Sequence, residues 1–318
     1  MNIKKPIFWD QKKPNFVSYI LFPVTFLIRI NNFFLRFFPK SKFKQIKTIC
    51  VGNIYLGGTG KTPITLKLFK LLKAKNYNII IGKKYYPYQK DEQILIKNKS
   101  ILISSKNREE IVKIAIEKKY ELVIFDDGLQ ERRFDYDLKF VCFDSKIWIG
   151  NGYLIPSGPL RENIDSLKKY DGVFLKITDG NTNLTNIISQ IKKVNSKIEI
   201  FNSHVEIKNI NEFNFSDKYL IFSGIGNSTS FKEILINNRF NIIEEKIFSD
   251  HYEYKDEDIN KILEISKEKN LKILTTEKDY VKIPSYFKDR INCIEINLKI
   301  DNEKKLLNFI ESKINETN

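Results

Sequence analysis

Short apolar runs alternate with stretches of helical period along most of the chain. Runs at 48–51, 78–82, 121–125, 139–143 and 172–176 are rich in Ile, Val and Phe and read as buried strands. Between them, 63–75 and 107–119 carry apolar residues at helical spacing, with lysines filling the gaps of the first. Strands separated by helices predict a parallel, doubly wound sheet. Composition turns polar at Asp179-Gly180-Asn181-Thr182-Asn183, which marks a boundary. A second α/β pattern follows, with strands near 197–202, 219–223, 241–247, 271–275 and 292–297 and helices near 229–237, 256–269 and 302–315. The expected organisation is an arm over 1–47, a first α/β domain over 48–180, and a smaller second α/β domain over 181–318.

The arm holds the most apolar stretch of the chain, Phe16 to Phe38. Its longest uncharged run, Pro14 to Ile28, has 15 residues and would rise only about 22 Å as a helix. A hydrocarbon core needs about 30 Å, so a transmembrane span is not expected. From Pro23, suited to a first helical position, Thr25, Arg29, Asn32 and Arg36 recur on one narrow stripe, and apolar side chains cover the rest of the cylinder. That pattern, flanked by lysines, describes an amphipathic helix lying in a membrane interface. A core helix is the competing reading; a signal peptide is not, because Pro39-Lys40-Ser41-Lys42 follows where small residues belong.

Charge sharpens this picture. The chain of 318 residues has 54 Lys+Arg against 39 Asp+Glu, a net of +15. Residues 1–48 hold ten of the bases and only one acid, Asp10, so most of the excess belongs to the arm. A nucleic-acid binder would spread such charge over a folded face, so no nucleic-acid partner is expected; an anionic membrane surface is. The cysteines, Cys50, Cys142 and Cys293, are scattered and odd in number, which excludes a disulfide framework and a cysteine-based zinc site.

Candidate chemistry begins after the first strand. Gly52-Asn53-Ile54-Tyr55-Leu56-Gly57-Gly58-Thr59-Gly60-Lys61-Thr62-Pro63 runs from strand into helix, the layout of a P-loop. Tyr55 stands where the consensus has its first glycine. Glycines let backbone N–H groups curl around phosphate, Lys61 reaches the β- and γ-phosphates, and the Thr62 hydroxyl ligates Mg²⁺. Tyr55, Leu56, Gly57, Gly58, Thr59, Gly60, Lys61 and Thr62 are therefore the expected ATP-binding residues. The strand at 121–125 ends in Asp126-Asp127-Gly128, the place for carboxylates that hold the Mg²⁺. The first domain is thus expected to be P-loop NTPase-like.

These segments, with Gly150-Asn151-Gly152…Gly158-Pro159-Leu160-Arg161-Glu162, Phe222-Ser223-Gly224-Ile225-Gly226, Phe248-Ser249-Asp250-His251-Tyr252 and Leu274-Thr275-Thr276-Glu277-Lys278-Asp279, resemble the tetraacyldisaccharide 4′-kinase family of lipid A biosynthesis. They occur in family order over about 50–285. The resemblance implies transfer of the ATP γ-phosphoryl group to the 4′-hydroxyl of a tetraacylated disaccharide 1-phosphate, giving lipid IVA. It also implies Mg²⁺ and a peripheral location on the cytoplasmic face of the bacterial inner membrane. Its partners would be the lipid disaccharide and the anionic membrane, with no obligate protein partner evident. By the same resemblance Asp91 and His251 act as a pair on the acceptor hydroxyl, Arg161 is a basic residue near the reacting phosphate, and Glu92 joins Thr62, Asp126 and Asp127 around Mg²⁺. The pairing is chemically reasonable, because a sugar hydroxyl is a poor nucleophile and a carboxylate oriented by histidine can accept its proton.

Three departures from the family pattern stand out. Gly82-Lys83-Lys84-Tyr85-Tyr86 replaces Ser-Arg-Gly-Tyr-Gly, keeping a basic residue (Lys83) and a tyrosine (Tyr85) but losing both glycines. Asp91 and Glu92 are expected in a charged loop, where Lys-Asp-Glu-Gln stands for Gly-Asp-Glu-Pro. Glu131 replaces a histidine and would set a negative charge near phosphates, with Arg132 and Arg133 available to offset it. The alternative function is a membrane-associated P-loop ATPase or GTPase with water as acceptor, which needs no Asp91–His251 pair.

Overall fold

The computed structural model describes residues 5–34, 40–131, 133–178 and 183–316, without the side chains of 31–34 and 316. Its helices are α1 (Phe16–Phe34), α2 (Lys61–Ala74), α3 (Lys90–Lys99), α4 (Arg108–Glu117), α5 (Leu184–Val194), α6 (Ser228–Asn237), α7 (Asp256–Glu268), α8 (Glu277–Tyr280), α9 (Ser285–Lys288) and α10 (Glu303–Glu316). Its strands are β1 (Lys47–Gly52), β2 (Ile79–Lys84), β3 (Leu102–Ser105), β4 (Leu122–Asp126), β5 (Leu138–Asp144), β6 (Gly172–Lys176), β7 (Glu199–Ile207), β8 (Lys218–Ser223), β9 (Asn241–Ile247), β10 (Lys272–Thr276), β11 (Asn292–Ile294) and β12 (Ile296–Ile300).

Among the described residues the strands form an eight-stranded sheet, β12-β7-β6-β5-β1-β4-β2-β3, and a four-stranded sheet, β11-β10-β8-β9. From β7 to β3 every pairing is parallel, as is every pairing in the smaller sheet. Parallel strands are buried on both faces, and Ile49, Cys50 and Val51 of β1 are fully shielded from solvent. β1 sits between β5 and β4 with its carboxyl end at Gly52. Ligands of open α/β sheets bind at such carboxyl ends.

The chain divides into two compact units. Of the described residues, the larger comprises Lys5–Tyr85, Lys99–His204 and those from Ile300 onward; the smaller comprises Tyr86–Asn98 and Val205–Lys299. The expected division at 180/181 falls between β6 and α5, both of which belong to the larger unit. Residues 179–182, read as a linker, lie outside the described residues. The run expected as one strand at 292–297 is two, β11 and β12. Helix α5 and strand β3 were not expected from the sequence pattern.

The arm differs from its expectation in two ways. First, α1 opens at Phe16, and Pro23 lies inside it. Asn15 supplies the missing start: its Oδ1 accepts from the Ser18 N–H at 3.1 Å and the Ser18 hydroxyl at 3.3 Å, the task of an N-cap side chain. Second, Thr25 does not face solvent. Ser18 and Thr25, seven residues apart on one face, are buried, whereas Phe16 is 78% and Leu27 66% exposed. The Thr25 hydroxyl meets Ser157 Oγ at 2.7 Å and donates to the Leu154 carbonyl at 3.3 Å. Asn151 Nδ2 donates to Ser18 Oγ at 3.1 Å and to the Ser157 carbonyl at 3.0 Å. Arg29 is exposed, as expected; the side chains of Asn32 and Arg36 lie outside the described residues.

Candidate active site

In the larger unit, β1 hands the chain to a loop that ends at Gly60, the N-cap of α2, with φ of 84°. That left-handed conformation favours glycine, and it turns the first N–H groups of α2 toward the loop mouth. A helix start leaves such groups without intrahelical acceptors, and its dipole favours an anion there. Asn53 is fully buried under the loop, and its Nδ2 donates to the Gly57 carbonyl at 3.2 Å and Thr59 Oγ1 at 3.1 Å.

Two carboxylates from the end of β4 face this loop. Asp126 accepts from the Thr62 hydroxyl at 3.0 Å, from Thr65 Oγ1 at 3.4 Å and from Lys83 Nζ at 2.6 Å. Lys83, at the end of β2, and Asp126 form a buried ion pair. Asp127 lies 3.5 Å from Lys61 Nζ and 3.1 Å from Arg161 Nη1. Burial pushes the Asp127 carboxyl up, but the Lys61, Arg161 and Lys83 charges together hold it well below the usual carboxylate range.

Arg161 reaches Asp127 because its segment is strapped to the loop. Leu56 N donates to the Pro159 carbonyl at 2.8 Å, Arg161 N donates to the Ile54 carbonyl at 2.6 Å, and Tyr55 bridges Leu160. Gln130 Nε2 ties in Asn53 O at 3.1 Å and Glu162 Oε1 at 2.9 Å. Gly158 has to be glycine: a Cβ there would lie 2.1 Å from Asn151 Oδ1 and 2.5 Å from the Tyr153 carbonyl oxygen.

The smaller unit holds a second constellation. Asp91 and Glu92 lie in the first turn of α3, not in a loop, and Asp91 is 3% exposed. His251 Nδ1 lies 2.9 and 3.0 Å from the two Asp91 oxygens. A carboxylate only accepts, so Nδ1 carries the proton in this contact. His251 Nε2 is 3.9 Å from Glu92 Oε1 and 3.8 Å from Asp250 Oδ2. Burial raises the Asp91 pKa, and the His251 hydrogen bond with the Lys278, His251 and Lys282 charges outweighs it, leaving the carboxyl below its ordinary range.

The structure thus gathers Lys61, Thr62, Asp126, Asp127 and Arg161 in the larger unit and Asp91, Glu92 and His251 in the smaller. Glu92, expected with the Mg²⁺ set, pairs with Lys278 at 3.2 Å. Tyr55, expected among the ATP-binding residues, buries its ring; its hydroxyl donates to Asp10 and accepts from Lys5 Nζ at 2.7 Å. Glu131 is offset by Arg108, whose Nη1 donates to it at 3.2 Å; Arg133 contributes its backbone N–H at 3.1 Å, and Arg132 lies outside the described residues. Arg108 also donates to the Asp127 carbonyl at 2.9 Å. Sequence reading gave it no role, and a lone arginine opening a helix carried no signal for one.

A strand, a glycine-rich turn, a helix with Lys-Thr at its start and an aspartate bonded to that threonine define a P-loop phosphotransferase-type protein. Comparison with known proteins narrows the class. The family profile Tetraacyldisaccharide-1-P 4′-kinase matches residues 17–315. The tetraacyldisaccharide 4′-kinase of Pelagibacter ubique (strain HTCC1062) is 44% identical over 100% of both chains. That of Rickettsia bellii (strain OSU 85-389) is 34% identical over 97% of this chain and 98% of its own. The crystal structure of LpxK from Aquifex aeolicus in complex with ATP has the same fold, with a TM-score of 0.68 and 23% identity over 94% of this chain and 99% of that one. The chain belongs to the tetraacyldisaccharide 4′-kinase family, the kinases of lipid A biosynthesis.

Proposed function

We propose that the P-loop set binds ATP and that the Asp91–His251 pair activates the 4′-hydroxyl of a tetraacyldisaccharide 1-phosphate, which receives the γ-phosphoryl group. Phosphoryl transfer depends on positioning and charge neutralisation more than on covalent help. Lys61 and the first-turn N–H groups of α2 hold the phosphates, and Arg161 adds positive charge beside them. The Thr62 hydroxyl and the Asp126 and Asp127 carboxylates are hard oxygen donors, a set that suits Mg²⁺ shared with nucleotide phosphates. Bound there, Mg²⁺ neutralises charge on the transferring group. His251 orients the Asp91 carboxylate, and the pair takes the acceptor proton as the P–O bond forms. The observation that carries the kinase reading over hydrolysis is the Asp91–His251 contact, since water as acceptor needs no such pair.

The same proposal seats the arm on an anionic membrane at the cytoplasmic face, and the exposed apolar residues of α1 support the membrane contact. In α1 the Ser18 and Thr25 hydroxyls are buried, whereas Phe16, Ile20, Phe26 and Leu27 are exposed, the reverse of a helix made for water. Among the described residues no helix is long and apolar enough to cross a membrane.

The deciding experiment incubates the full-length protein with γ-labelled ATP, Mg²⁺ and tetraacyldisaccharide 1-phosphate in mixed micelles, followed by thin-layer chromatography. Labelled lipid is expected. Release of labelled phosphate at a rate indifferent to the lipid, with no labelled lipid formed, overturns the kinase reading.

A further inference from the structure

We infer that Lys278 is a positioning residue for phosphoryl transfer, acting through the Asp91–His251 pair. The inference rests on the reading of that pair as the group that activates the acceptor.

Lys278 is the second residue of α8, the short turn that follows β10. Its Nζ donates to Asp250 Oδ1 at 2.9 Å and Glu92 Oε1 at 3.2 Å, and lies 3.8 Å from Asp91 Oδ2. One ammonium therefore joins the carboxylates flanking His251 from two distant parts of the chain. Asp250 Oδ1 also accepts the backbone N–H of His251 at 3.0 Å. His251 itself sits at φ of 58°, a left-handed conformation uncommon outside glycine. Such a conformation persists only where neighbours over-determine it.

The neighbouring residue completes the frame. Asp279 is fully buried and accepts from Gly224 N at 3.0 Å, Tyr254 OH at 2.9 Å and Thr276 Oγ1 at 2.7 Å. It pairs with Lys282 at 2.8 Å, whose Nζ is 3.8 Å from Asp91 Oδ2. The Gly224 carbonyl in turn accepts the His251 N–H at 3.2 Å. Asp279 thus fixes the floor beneath His251, and Lys278 fixes its flank. The two roles differ: Asp279 is spent on buried backbone and hydroxyl groups, whereas Lys278 spends its donors on the carboxylates around the histidine. Without Lys278, three carboxylates lie close to His251, and among the described residues the ammonium that stays beside Asp91 is Lys282, itself paired to Asp279. Like charges then drive Asp91, Glu92 and Asp250 apart, and the Asp91–His251 alignment is lost.

The test uses the full chain in mixed micelles and four variants: Lys278→Met, Lys278→Arg, Asp91→Asn and Asp91→Asn/Lys278→Met. A misplacement of about 1 Å costs on the order of 100-fold in rate, so Lys278→Met should lose kcat on that scale while KM for ATP stays within about twofold of wild type. Lys278→Arg should recover most of the loss, because a guanidinium still spans the carboxylates. In the Asp91→Asn background, Lys278→Met should slow the enzyme no further. Unchanged kcat in Lys278→Met, a rise in KM for ATP at constant kcat, or multiplicative losses in the double variant overturn the inference. Should Lys278→Met fail to fold, Lys278→Gln with the Arg variant carries the same comparison. Asp91→Asn turning over at the wild-type rate removes the pair itself; a slow Asp91→Asn beside a fast Lys278→Met removes Lys278 alone.

Discussion

Replacing Lys83 by methionine tests the reading of the β2 and β4 ends most directly. The Lys83 and Asp126 side chains are 4% and 0% exposed, with Nζ 2.6 Å from Oδ2. Methionine fills much of the lysine stem's volume, so the chief change is loss of the ammonium. Among the described residues Asp126 then keeps the Thr62 and Thr65 hydroxyls, too little to compensate a carboxylate taken out of water. Breaking a buried pair by removing one partner costs about 3–5 kcal/mol. With a urea slope of about 2–3 kcal/mol/M, the midpoint should fall by roughly 1–2.5 M. Both tryptophans of the chain, Trp9 and Trp148, belong to the larger unit, so their fluorescence follows the unit in which the pair lies. The companion variant Lys83→Met/Asp126→Asn removes both charges and should regain more than half of the lost stability. The reasoning is refuted if Lys83→Met costs less than about 1 kcal/mol, or if the double variant unfolds as early as the single one.

Further outcomes follow from other parts of the structure. Asp91→Asn and His251→Ala should each lower kcat by about 100-fold or more and leave ATP affinity, read by calorimetry, near wild type; a large loss of ATP affinity would argue against their role at the acceptor. Phe26→Asp with Leu27→Asp removes two exposed apolar side chains of α1. Each is worth about 1.5–3 kcal/mol when taken out of water, so sedimentation with anionic vesicles should weaken at least tenfold while the melting temperature holds. Unaltered sedimentation would sink the interfacial role of this face. Gly158→Ala drives a Cβ to 2.1 Å from Asn151 Oδ1; overpacking costs about 1–3 kcal/mol, read as a melting temperature several degrees lower, and an unchanged melt would show that the segment can shift aside.

Much of the fold was legible where hydrophobic period and chain geometry agree. β1, β4, β5, β6 and the helices α2, α4, α6, α7 and α10 fall within a few residues of their expected spans. The missed helix α3 shows the limit of period. Its buried residues are Asp91, Gln93 and Ile96, so the face it turns inward is mostly polar and sends no apolar signal. The polarity of α1 was misread for a related reason. Thr25 was placed on the polar stripe, yet it is buried against Ser157, as Ser18 is against Asn151. A rule that places polar groups outward presumes water all round. Within the sites, Lys61, Thr62, Asp126 and Asp127 follow from spacing along the chain, because a P-loop is local. Asp91 and His251 are 160 residues apart and came from resemblance. Arg108 and Lys278 needed the fold, since each acts on groups far from it in sequence.

The segment running from Gly150 to Arg161 is shared property. On one side Asn151 and Ser157 hold the hydroxyls of α1, and Asn151 N donates to the Trp9 carbonyl at 3.0 Å. On the other, Pro159 and Arg161 bond the phosphate loop, and Arg161 grips Asp127. Thermodynamics makes any traffic through such a segment two-way. The factor by which a lipid surface changes nucleotide affinity must equal the factor by which the nucleotide changes surface affinity. Titrating each against the other closes a cycle whose two arms have to agree, and its size measures how far the proposed docking of the arm and loading of the phosphate loop are one event.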